Sequence, residues 1–190
     1  MVSKKYTIKE ISKWFLERKL YENDDNLTYN KLQKLLFYSK AFGFVLANDD
    51  IVTSNAVLTE RGVEFNDVPK FEKGTALEDV LSALQSVKSV GDKEVNAVLE
   101  YVFEKFDEFS EDELNKYSVK ELSKLNIKIG DNIKNEDLQK LYREIYVNDN
   151  PQNDYNLTRE DIIDGISFVV YKKYDKAFKV LGKWELVNKM

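Results

Sequence analysis

Apolar residues along this chain recur at helical spacing in one segment after another. Ile8, Ile11 and Phe15, with Trp14 beside them, predict a first helix opening at Thr7. Thr7 and Glu10 make a capping box: the hydroxyl accepts from a free N–H of the first turn and the carboxylate reaches back. The polar stretch from Tyr21 to Asn26 predicts a loop. Leu32, Leu35, Leu36, Ser39, Phe42 and Gly43 then fall on one face of a second helix, capped by Thr28, with Lys31, Lys34 and Lys40 on the other. An aspartate at Leu35 is expected to unfold such a helix by burying a charge, whereas Lys34→Ala is expected to leave it folded.

The pattern changes over residues 47–75. Asn48, Asp49 and Asp50 predict a turn, and Ile51-Val52-Thr53 and Ala56-Val57-Leu58 are short and β-prone. Gly62, Pro69 and Gly74 punctuate the remainder of this stretch, so one or two short strands and a loop are expected. Helical spacing returns with Leu77, Val80, Leu81, Leu84 and Val87, and again with Val95, Val98, Leu99, Val102 and Phe106. Ser110 with Glu113 and Ser118 with Glu121 are two more capping boxes, each predicted to open a short helix. Residues 126–131 read as a short extended piece. Leu138, Leu141, Tyr142 and Ile145 mark another helix, and residues 148–156 are the most loop-like nonapeptide in the chain. Thr158 with Asp161 caps a last long helix, with Ile162, Ile163, Ile166, Val169 and Val170 toward the core. The sum is a mainly α fold: a compact domain of about seven helices with a small β hairpin or short sheet. Residues 1–125 form its body, and residues 126–190 a C-terminal helical extension packed on it as one globular unit.

Composition narrows the chemistry. The chain has 190 residues, with no cysteine and no histidine. Disulfides, cysteine or histidine nucleophile systems, zinc fingers, haem ligation and His-containing triads are therefore excluded. The 34 acidic residues outnumber the 29 basic ones, and a net charge of −5 gives no general attraction for phosphate backbones. The basic residues are 25 Lys and only 4 Arg, and Asn appears 16 times against 2 Pro. These are the residues of AT-rich codons, as expected of an AT-rich bacterial or phage genome. No apolar run follows the basic N-terminus, and no stretch approaches the roughly 20 apolar residues that span a bilayer. A cytoplasmic protein without membrane association is expected.

Residues 27–40 read Leu-Thr-Tyr-Asn-Lys-Leu-Gln-Lys-Leu-Leu-Phe-Tyr-Ser-Lys. This run resembles the signature helix of the Panacea domain family of SocA-like antitoxins. Leu27, Thr28, Lys31, Leu32, Gln33, Lys34, Leu35, Leu36 and Tyr38 stand where the family pattern wants them, and Phe37 keeps an aromatic. Phe109-Ser110-Glu111-Asp112-Glu113-Leu114 resembles the family's late helix start, and the likeness covers about residues 7–125. The resemblance implies a binding function, the neutralisation of a toxin by direct protein–protein contact. The partner would be a protein toxin encoded by a neighbouring gene, and one relative also hands its toxin to an ATP-dependent protease. Neutralisation needs an interface of roughly 1,200–2,000 Å² and no catalytic residues.

Lys31, Gln33, Lys34 and Tyr38 are the candidate partner-binding or family-motif residues. The three polar ones either touch a toxin, hold the adjacent β element, or form a solvated face whose stems cover apolar surface. Tyr38 either fixes the β element through its hydroxyl or is a core aromatic. The acidic run Glu104, Asp107, Glu108, Glu111, Asp112 and Glu113 reads as a dock for a basic toxin surface or as a solvated helix end. Lys172, Lys173, Lys176, Lys179 and Lys183, interleaved with Tyr171, Tyr174, Phe178 and Trp184, form the credible nucleic-acid patch. They carry the alternative reading, a nucleic-acid-associated phage or mobile-element protein. The Asn- and Asp-rich loop at 148–156 lacks the Gly and Glu of a calcium loop in any register. No catalytic set, metal site or cofactor is expected. A carboxylate-bound Mg²⁺ hydrolase is the remaining rival.

Overall fold

The computed structural model describes residues 5–24, 26–147, 153 and 155–181, with residues 171–181 described by backbone alone. Among them are seven α-helices: α1 (Ile8–Tyr21), α2 (Tyr29–Phe42), α3 (Leu77–Ser82), α4 (Lys93–Phe106), α5 (Glu111–Leu122), α6 (Asn135–Tyr146) and α7 (Arg159–Leu181). A π-helical turn, Gly43–Ala47, continues α2. Strands β1 (Val57–Thr59) and β2 (Gly62–Glu64) pair antiparallel, with Thr59 opposite Gly62 and Val57 opposite Glu64. The fold is mainly α.

Local signals set the helix starts. Thr7 and Glu10 form the expected box, with Thr7 N donating to Glu10 Oε2 at 2.8 Å. Ser110 and Glu113 do the same at α5. Thr158 N donates to Asp161 Oδ2 at 2.8 Å before α7. The box predicted from Ser118 and Glu121 does not form. Both residues lie inside α5, where the Ser118 hydroxyl turns back to the Asn115 carbonyl at 3.0 Å. One helix therefore runs where two were expected. Likewise α3 ends at Ser82, and the residues up to Val87 form turns.

The core is built around α2. Every residue from Leu32 to Phe42 is buried, a pattern reserved for helices covered on all sides. Neighbours come from α1, α4, α5, α6, β2 and the π turn. Leu35, Leu36, Phe37 and Phe42 are fully inaccessible, and Ile11, Phe15, Val98, Phe106, Leu138 and Tyr142 belong to the same cluster.

The segment after residue 125 is woven into this body. Leu58 N donates to Asp131 O at 3.1 Å, Gly130 N to Leu58 O at 2.7 Å and Ile133 N to Ala56 O at 2.8 Å. Residues 130–133 thus line the outer edge of β1. The extended piece expected at 126–131 is displaced by a few residues, and residue 52 makes a single parallel bridge with Tyr6 instead of a strand. Helix α7 packs along α4 and the π turn. Gly165 permits this approach: a Cβ there would stand 2.6 Å from the Tyr101 ring and 3.1 Å from Leu46.

Candidate functional site

The candidate residues Lys31, Gln33, Lys34 and Tyr38 project from α2 in several directions, and each bonds to another part of the chain. Gln33 is 1% exposed. Its amide nitrogen donates to the Phe65 carbonyl at 3.1 Å and to the Tyr29 hydroxyl at 2.8 Å, and its carbonyl accepts from Phe65 N at 2.8 Å. Lys34 is 3% exposed. Its Nζ donates to the carbonyls of Arg61 at 3.1 Å and Val63 at 3.0 Å. The two side chains stand along β2 as a neighbouring strand would. Burial pulls the Lys34 ammonium down to about 8, partly offset by Glu64 and Glu111.

Of the readings open for Lys31, Gln33 and Lys34, the solvated face does not hold, and Gln33 and Lys34 hold the adjacent β element. The apolar spacing reports one face of α2, whereas the hairpin and the segment at 50–52 cover the others. Lys40 is fully buried, its Nζ donating to Asp50 Oδ1 at 2.8 Å and to Val52 O at 3.1 Å. Asp50 also receives Lys5 Nζ at 3.1 Å and Asn135 Nδ2 at 2.9 Å, which joins four parts of the chain at one carboxylate. Lys31 donates to the Asp107 carbonyl and pairs with its carboxylate at 3.3 Å. Asp107, read with its acidic neighbours as a dock for a basic surface or a solvated helix end, also clamps buried Lys19 at 2.6 Å, with Asp24 on Lys19 at 2.5 Å. Burial lowers the Lys19 pKa, but the bonds to Asp107 and Asp24 outweigh it and leave the ammonium above its ordinary value.

Tyr38 does not reach the β element. Its hydroxyl donates to Glu121 Oε2 at 3.2 Å, on α5. Tyr142 donates to the same oxygen at 2.6 Å and Tyr146 to Oε1. Burial, with the Glu121 charge beside them, holds the Tyr38 and Tyr142 hydroxyls well above their ordinary pKa. Glu121 is the residue sequence reasoning missed. Its spacing from Ser118 reads as half of a capping box, and only the folding of α2, α5 and α6 together brings three tyrosines to it.

The hairpin turn is held rigidly. Arg61 N donates to Thr59 Oγ1 at 3.1 Å, and Thr59 Oγ1 donates to Gly62 O at 3.0 Å. Gly62 has φ +95°, and a Cβ there would fall 1.9 Å from Asn115 Oδ1, so glycine is required on two counts. Glu60 and Arg61 at the tip are exposed, and Ile129 beside them is 64% exposed. A shallow recess of about 340 Å³ runs between the tip and Ile129. A second cleft of about 600 Å³ opens where α2 and α5 begin, among Thr28, Tyr29, Lys31, Phe71 and Glu111. Glu111 accepts there from the Thr28 hydroxyl.

Among the described residues no group of three or more carboxylates could hold a metal ion, and no helix is long and apolar enough to cross a membrane. The Lys-rich patch at 172–183 lies outside the described side chains, and most of the 148–156 loop lies outside the described residues. Comparison with family models, with curated proteins and with solved structures gives no match.

Proposed function

We propose that this chain is an antitoxin-like protein that neutralises a partner toxin by covering its surface. One observation carries the reading. The run that resembles the Panacea signature, residues 27–40, supplies the cap and most of α2, is buried from Leu32 onward, and two of its polar residues, Gln33 and Lys34, hold the hairpin in place. A core helix that fixes a hairpin with an exposed tip suits a protein that works by contact, because ordering cost is met before the partner arrives. The toxin-facing surface is placed on the hairpin tip, Thr59 to Arg61, and the neighbouring Ile129.

The test is co-expression. A small gene adjoining this one should arrest growth when expressed alone, and this chain should rescue it and co-purify with its product. Rescue without a complex, or no rescue, defeats the proposal. The complex should survive moderate salt, whereas binding through phosphate contacts by the Lys-rich C-terminal segment falls steeply with salt. Arg61→Glu at the tip should leave the thermal midpoint unchanged and weaken the complex. A shortened toxin half-life in the presence of this chain would add delivery to an ATP-dependent protease.

A further inference from the structure

The cleft where α2 and α5 begin has a volume of about 600 Å³, within the roughly 300–1,000 Å³ of small-molecule sites. Three pieces of chain wall it: the start of α2, the loop at 71–73 and the start of α5. Most sites of that size are apolar with a few polar groups. This one is the reverse. Asn26 and Asn30 bring amides, Thr28 and Ser110 hydroxyls, Glu111 a carboxylate and Lys73 an ammonium. Donors and acceptors thus stand side by side around the cleft.

The charges do not single out an ion. Lys31 also lines the cleft, but its Nζ is held by the Asp107 carbonyl and by the Asp107 carboxylate, the latter at 3.3 Å. The remaining full charges, Lys73 and Glu111, are opposite in sign. A phosphate would meet Glu111 and the acidic residues beside it in sequence, Glu108, Asp112 and Glu113. A cation would meet Lys73 and the positive ends of α2 and α5. A neutral molecule dense in hydroxyl groups avoids both penalties, and each of its hydroxyls can donate to a carboxylate while accepting from an amide.

The apolar part of the lining has a matching form. Tyr29 and Phe71, both half-buried, meet edge-to-face at 6.2 Å and both line the cleft. Polarised C–H bonds are attracted to the negative face of an aromatic ring, and a pyranose has a face made of such bonds. The walls are fixed in advance, which lowers the ordering cost of binding. The Tyr29 hydroxyl accepts from Gln33 Nε2 at 2.8 Å, and the Thr28 hydroxyl donates to Glu111 across the gap between α2 and α5.

We propose that this cleft is a carbohydrate-binding site for a neutral mono- or disaccharide unit. Tyr29 and Phe71 form the platform for the sugar ring, and Asn30, Ser110 and Glu111 bond its hydroxyls. The proposal stands apart from toxin neutralisation and is tested without any toxin.

The full chain, labelled with ¹⁵N, is titrated with maltose, cellobiose, lactose and N,N′-diacetylchitobiose, each to about 20 mM, enough to saturate a millimolar site. At least one should shift the amides of Thr28, Tyr29, Phe71 and Ser110 along a saturating curve. Phe71→Ala should weaken that sugar's binding at least tenfold. Asn30→Ala changes an exposed side chain, should weaken it several-fold, and supplies the readout if Phe71→Ala does not fold. Glucose 6-phosphate should bind no more tightly than the best neutral sugar. Absence of binding by all four sugars overturns the proposal, as do shifts centred outside the cleft or folded variants that bind as the parent does. Tighter binding of glucose 6-phosphate than of every neutral sugar overturns it in favour of an anion site.

Discussion

Gln33 meets Phe65 by offering both halves of its side-chain amide to both halves of that residue's backbone, at 3.1 Å and 2.8 Å. A residue that is 1% exposed has no water to replace either bond. Gln33→Leu keeps the bulk and strands a buried N–H and C=O, each at a cost of about 1–3 kcal/mol. The thermal midpoint should fall by several degrees. Gln33→Glu should fall too, because a carboxylate cannot donate to the Phe65 carbonyl. A midpoint equal to the parent's in either variant would show that the hairpin is not held there.

Lys34 gives the stability a pH dependence of unusual sign. In the unfolded chain it holds its proton up to its ordinary 10.5, and in the fold it releases it near 8. Between these values unfolding takes up a proton, so the fold gains stability as pH rises, by up to about 1.4 kcal/mol per unit. The neutral amine still has two N–H groups for its two carbonyls. The charges nearest it are Glu64 and Glu111, with Arg61 in the turn above. Thermal midpoints of the parent and Lys34→Met, compared from pH 7.5 to 9.5, should diverge in favour of the parent as pH rises. Parallel profiles would refute the assignment. Lys34→Ala, which the sequence alone marks as harmless, should be destabilising at every pH because it orphans the carbonyls of Arg61 and Val63.

Gly165 lies in the second turn of α7, where Ala ordinarily stabilises a helix by about 1 kcal/mol. Here the added methyl would enter the Tyr101 ring. That ring is fixed, packed on Phe42 at 5.8 Å, with its hydroxyl bonded to the Asp161 carbonyl at 3.4 Å. Gly165→Ala should therefore lower stability by about 1–3 kcal/mol, seen in chemical denaturation. A stabilised variant would mean that α7 does not dock this closely.

Glu121 accepts from three tyrosines with two oxygens. Glu121→Gln leaves one acceptor oxygen and turns the other position into a donor facing hydroxyls. Bonds to charged acceptors are worth about 1.5–3 kcal/mol each, so the loss should exceed that of Tyr146→Phe, which removes one donor. Urea midpoints of the two variants check the order, and the reverse order would remove Glu121 from the centre of the network.

The parts of the fold legible in the sequence are those decided within one turn of chain. Thr7 with Glu10, Ser110 with Glu113 and Thr158 with Asp161 mark helix starts because cap and partner are three residues apart. Ser118 with Glu121 has the same spacing and misleads, because Leu114 and Leu122 bury that stretch against α2 and extend the helix through it. Helical periodicity locates α2 but describes one face of it. That Gln33, Lys34 and Lys40 are interior depends on segments 10 to 32 residues away in sequence. The tyrosines around Glu121 are farther still, at separations of 21, 25 and 83 residues. Tyr155 sits in the most polar loop of the chain, where composition predicts exposure, and only the surrounding rings of Tyr38, Phe106, Phe109 and Tyr117 make it core.

Both margins of the hairpin are already taken, Leu58 by the backbone of residues 130 and 131 and Val63 and Phe65 by the side chains of Lys34 and Gln33. An open margin is where foreign β segments graft themselves and where fibrils begin. This molecule has closed that route with a stretch of its own backbone on one side and two side chains from a helix on the other. A partner that met this hairpin would find no open strand margin, only the shape and charge of Glu60, Arg61 and their neighbours, and substitutions at Gln33 and Lys34 would uncover the margin along Val63 and Phe65.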